Sequence, residues 1–92
     1  VDYAPVIAYQ WIASDKPFYE IAGFQLLARL FANGQEPNER GINEFLDQAA
    51  VALQGNNMGI KHAAANAVMR FCDFGEDFEK IAQGALKGIF EI

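Results

Sequence analysis

Threonine is absent from this 92-residue chain and valine is sparse, while alanine is abundant. The β-branched residues that favour strands are largely missing, so composition favours helix over sheet. No apolar run approaches the roughly 18 residues needed to span a bilayer, and no stretch is laid out as a signal peptide. A single cysteine cannot close an internal disulfide, and one cysteine with one histidine cannot supply a zinc site. The default compartment is therefore the cytoplasm, with no membrane partner. There is no glycine-rich phosphate loop and no EF-hand spacing, and nothing in the residues calls for a metal or a cofactor. No initiator methionine opens the chain, which reads as either processed or, preferably, a fragment of a longer repeat protein.

Hydrophobic residues make up 52% of the chain, and mean hydropathy is near zero, which suits a folded domain rather than a disordered segment. A chain of this size forms one domain that buries about 60–65% of its unfolded surface. The formal net charge of −5 argues against indiscriminate nucleic-acid binding. Its distribution is uneven: residues 1–15 carry −2, 16–33 carry +1, 34–54 carry −3, 55–72 carry +2 and 73–92 carry −3. Positive and negative segments alternate in step with the expected helices.

The most informative pattern is an internal echo. Residues 21–30 (IAGFQLLARL) are matched in character by 62–71 (HAAANAVMRF), each 41 positions after its counterpart. Small residues come first, then an amide, bulky apolar residues and an arginine. Stacked two-helix repeats of the HEAT and armadillo type use periods of about 40–47 residues. The expected fold is accordingly all-α, a HEAT/armadillo-like α-α superhelix of stacked antiparallel helix pairs, with about five helices in residues 1–92.

Punctuation divides the helices. The first is expected from about Tyr3 to Ala13, with Pro5 in its first turn. Ser14 or Asp15 caps the second, which has Pro17 near its start and ends at about Ala32 before the Asn33-Gly34 stop. A polar linker over 35–41 leads to a third helix that starts at Asn38 or, after Gly41, at Asn43, and reaches Gln54. Gly55-Asn56-Asn57 is a stop followed by a cap, opening a fourth helix from about Met58 to Cys72. Its apolar positions Ile60, Ala63, Ala64, Ala67, Val68 and Phe71 trace a buried helical stripe. Asp73 and Glu76 have the spacing of a capping box for a fifth helix running to the chain end. Setting Phe45, Leu46, Ala49, Ala50 and Leu53 against Ile81, Ala82, Ala85, Leu86 and Ile89 gives a second echo, offset by 36. The units are then the second helix with the third and the fourth with the fifth, the first being left over from a preceding repeat.

Catalytic constellations are scarce. His62 and Cys72 sit ten residues apart on one helix, about 15 Å along its axis, too far to pair as thiol and imidazole. Carboxylates cluster in 36–47 and 73–79, where solvated faces and helix N-terminal charge explain them better than general acid–base work. Gly84 and Gly88 are expected within a helix, allowing close packing. One polar group stands out. His62, Asn66 and Arg70 recur every four residues along one stripe of the fourth helix, and Gln25 and Arg29 hold the positions equivalent to Asn66 and Arg70 on the second. A solvated face also accounts for this stripe, but it is the best binding surface the residues offer.

With Trp11-Ile12-Ala13-Ser14, then Ala22-Gly23-Phe24 and Asn66-Ala67-Val68-Met69-Arg70, the chain resembles the C-terminal section of HEAT-like DNA alkylation repair proteins, over about residues 11–91. The resemblance implies a helical-repeat fold and DNA glycosylase-like relatives that act on alkylated purines. Trp11 matches the tryptophan opening a W-x-x-S-like segment, and Arg70 matches the arginine of a W-x-x-R segment on the DNA-facing surface. Ala67 stands in place of that segment's tryptophan, and Ile21 where a basic residue precedes Ala-Gly-Phe. The family's catalytic acid has no assignable counterpart, so the catalytic residues are unknown and excision by this chain alone is not expected.

Two functions follow. The first is a DNA-associated helical-repeat module without complete catalytic machinery, holding duplex DNA weakly through phosphates with Gln25, Arg29, His62, Asn66 and Arg70. The second is a helical-repeat scaffold for a protein partner, bound through aromatics such as Tyr3, Tyr9, Trp11 and Tyr19.

Overall fold

The structure, a computed structural model, describes residues 4–92. Among these residues five helices form and no strand: α1 (Ala4–Ile12), α2 (Pro17–Ala32), α3 (Glu39–Gln54), α4 (Met58–Cys72) and α5 (Glu76–Ala85). Tyr3, expected to begin the first helix and to offer an exposed ring, lies outside the described residues. The assembly measures 35 × 33 × 19 Å, its thin dimension matching two helices of about 10–12 Å.

Local chemistry explains most of the boundaries. Asn38 caps α3, its Oδ1 accepting from the Gly41 N–H at 2.9 Å, and Asn57 caps α4 by accepting from the Ile60 N–H at 3.0 Å. At the end of α2 the Gly34 N–H donates to Phe31 O and the Gln35 N–H to Leu30 O. This double closure needs the left-handed φ of +86° that Gly34 supplies, while Asn33 stays at −84°.

Three expectations are corrected. Lys16, not Ser14 or Asp15, is the residue before α2, and it makes no side-chain cap. Pro17 at the first helical position needs no donor partner, and the Ser14 hydroxyl is turned back to Trp11 O at 2.7 Å. Asp73 closes α4 rather than capping α5, which starts after Gly75 with no side-chain cap. Finally, α5 stops at Ala85, and the chain turns through Gly88 at φ +79°.

At the centre lies α4, packed against α2, α3 and α5, while α1 covers the other flank of α2. Ala63, Ala64 and Ala67 are buried on α4 and let its neighbours approach closely. The α1–α2 contact is tighter still: a Cβ on Gly23 would lie 2.7 Å from Ala8 O. The expected units of α2 with α3 and α4 with α5 are unequal, because α2 meets α3 chiefly through the Phe31 and Phe45 rings, 5.1 Å apart. Five phenylalanines bind one end of the bundle. Phe71 of α4 is fully buried and lies 5.9 Å from Phe31, 5.3 Å from Phe45 and 5.2 Å from Phe78, with Phe74 closing the group. Edge-to-face pairs of this kind add stability beyond their buried area. The echo at offset 36 holds only partly, since Phe45 and Ala49 are buried while Ile81 and Ala85 are exposed.

Candidate functional site

Pro17 opens α2 and Met58 opens α4, 41 positions apart. The sequence echo therefore spans positions equally far from the two helix starts. Ile21 lies against Gly59 near the first turns, and Phe31 lies beside Phe71 near the last. The two helices thus run side by side in the same direction. Gln25 and Arg29 on α2 and His62 and Asn66 on α4 are all exposed. Arg70 is half-buried.

The two helices are not rotationally identical. Ala28 is buried on α2, but its counterpart Met69 is 43% exposed. The buried stripe of α4 is turned by about one residue, because α4 is enclosed by three helices and α2 by two. Arg29 accordingly points to solvent, with no carboxylate in ion-pair range among the described residues, while Arg70 lies lower against the protein. The Arg70 Nε sits 3.1 Å from Asp73 Oδ2, and Nε itself is buried without an aligned acceptor. This is an ion pair by proximity rather than a well-formed hydrogen bond. His62 shares a shallow depression of about 260 Å³ with Lys61, Met58, Leu53, Ile89 and Phe90.

Trp11 belongs to the α1–α2 corner, its ring 6.3 Å from Tyr19 at 55°. The Lys16 ammonium stands 5.5 Å from the Tyr19 ring on the same corner. Tyr9 is not an exposed contact: its hydroxyl donates to Gly41 O at 3.2 Å, and burial, then the Glu44 carboxylate, push its phenol well above the ordinary range. Burial likewise raises the Cys72 thiol, reinforced by Glu79 and Asp73, so it is a poor nucleophile. No polar or charged side chain among the described residues is fully buried. Nor do three His, Cys, Asp or Glu side chains among them converge as metal ligands.

Two residues here escape the sequence reading. Phe18 is 87% exposed and stands seven and eleven positions before Gln25 and Arg29, at the head of the same helical stripe. Asp73, expected as a cap for the next helix, is instead the partner of Arg70. Its three-residue spacing from Arg70 is the available signal. Ala67 is fully buried in α4, and no helix among the described residues is long and apolar enough to cross a membrane. In comparison with known proteins, no family model, no curated protein and no solved structure matches the chain.

Proposed function

We propose that this chain is a cytoplasmic, DNA-associated helical-repeat module, related in kind to the C-terminal section of HEAT-like DNA alkylation repair proteins and lacking complete catalytic machinery of its own. In this reading α2 and α4 are equivalent helices of successive repeats in an α-α superhelix. The observation that supports it is that the two helices run side by side in one direction and start 41 positions apart, so Gln25 and Asn66, like Arg29 and Arg70, stand equally far from their helix starts. A row of amides and cations at a regular spacing suits phosphate contacts, which position a duplex without reading its sequence. Ala67 is buried and small, so it offers no aromatic wall to a damaged base.

A low-salt titration of duplex DNA against wild type and Arg29→Ala/Arg70→Ala tests this. Binding should be weak and sequence-insensitive, with a log–log salt slope no steeper than about −2, at roughly −0.9 per neutralised phosphate. Unaltered affinity in the double variant, or no binding at low salt, would instead favour the helical-repeat scaffold for a protein partner. The exposed Phe18 ring is the observation on that side.

A further inference from the structure

We propose that Asp73 sets the affinity of this surface, as an internal carboxylate that occupies Arg70 where a phosphate would otherwise sit. The inference rests on the DNA-binding reading above and deepens it.

The repeat supplies its own comparison. Arg29 and Arg70 hold the same place in the sequence echo, but the residue three positions on is Ala32 in the first case and Asp73 in the second. Arg29 is exposed and makes no ion pair among the described residues, while Arg70 Nε lies 3.1 Å from Asp73 Oδ2. The backbone holds Asp73 in place. It ends α4 at φ −66° and ψ −13°, with its N–H directed to Met69 O at 3.3 Å and Arg70 O at 3.2 Å. The carboxylate is thus fixed within reach of the guanidinium, at the helix end where a cation is already favoured.

Asp73 holds Arg70 imperfectly. The Nε is buried and within ion-pair distance but has no aligned acceptor. Arg70, Asp73, Phe31 and Phe74 line one open depression of about 360 Å³, so an incoming oxyanion has access to this pair. The Asp73 carboxylate offsets the Arg70 charge that a phosphate would use and competes with it for the guanidinium, and Arg29 carries no such handicap. Wild type therefore engages chiefly one phosphate, through Arg29, and its salt slope is near −0.9; Asp73→Asn frees the second, and the slope steepens to about −1.8.

The experiment measures binding of a short mixed-sequence DNA duplex from about 50 to 200 mM salt. The proteins are wild type, Asp73→Asn, Asp73→Asn/Arg70→Ala, Arg29→Ala and, as a charge-matched control at an exposed position of α3, Asp47→Asn. Asp73→Asn should bind more tightly than Asp47→Asn, with an advantage over wild type that shrinks about 3.5-fold across that salt range. The gain should vanish in Asp73→Asn/Arg70→Ala. If wild type binds and Arg29→Ala weakens it, yet Asp73→Asn behaves like Asp47→Asn, the role of Asp73 is overturned and the DNA reading stands. If neither wild type nor Asp73→Asn binds even at the lowest salt, both fall.

Discussion

Gly23→Ala should destabilise this protein, although alanine is the better helix former. Gly23 lies within α2 where α1 crosses it. An added Cβ would sit 2.7 Å from Ala8 O, 2.7 Å from Ile12 Cγ1 and 3.2 Å from Ile12 N. The first distance is about 0.6 Å inside the roughly 3.3 Å of a close C···O contact. Ile12 can turn its side chain, but the Ala8 carbonyl moves only if α1 moves. Overpacking costs about 1–3 kcal/mol, and a rigid backbone contact belongs near the top of that range. The gain in helix propensity offsets about 1 kcal/mol, leaving a net loss of about 1–2 kcal/mol. At about 4–8 °C per kcal/mol for a domain of this size, the loss is visible in a thermal melt. Two other helical glycines act as controls. A methyl group added at Gly84 would meet nothing within 4 Å, so Gly84→Ala should stabilise by up to about 1 kcal/mol. Gly59 meets the flexible Ile21 Cδ1 at 3.0 Å, so Gly59→Ala should fall between them. Urea and thermal unfolding of all three variants decide the matter. Gly23→Ala equal to or above Gly84→Ala in stability would refute the steric argument.

Phe71→Ala should cost about 3–5 kcal/mol, the upper range for an aromatic core truncation, because it removes the ring that touches Phe31, Phe45 and Phe78; a denaturant midpoint close to wild type would contradict this. Asn57→Ala should lose about 1 kcal/mol as α4 loses its cap, whereas Lys16→Ala at the start of α2, which has no side-chain cap, should change stability little. Tyr9 links stability to alkaline pH: its phenol is raised in the folded state, so the folded chain holds the proton longer than the unfolded one. Stability should then fall as pH rises past the ordinary value near 10, and in Tyr9→Phe this contribution to the fall should disappear from a pH series of unfolding curves.

Where single residues dictate local geometry, the sequence is readable without the structure. Pro17, Asn38, the Gly34 turn and Asn57 each act within one helical turn, and the boundaries they imply match the helices observed. The end of α5 is not readable in this way, because Phe78, Ala82, Leu86 and Ile89 keep an apolar period through a region where the backbone has already turned. Asp73 fits two local roles, and only the three-residue gap between α4 and α5 decides between them. The exposure of the stripe follows from helical periodicity. The inequality of Arg29 and Arg70 does not, since it arises from how many helices surround each one. The phenylalanine cluster is invisible for a related reason: its rings come from four helices and one connecting segment, and no local window contains it.

That cluster also bears on how the chain folds as it leaves the ribosome. Its rings span positions 31 to 78, so a growing chain displays Phe31, Phe45 and Phe71 before Phe74 and Phe78 exist to cover them. Helical segments can form early, since each holds its own hydrogen bonds, but the ring cluster closes only once Phe74 and Phe78 have emerged. During that interval the nascent chain presents a sticky, ring-rich surface of the sort that chaperones capture. The arrival of α5 then covers the exposed side of the cluster, where Phe78 meets Phe71 and Phe74.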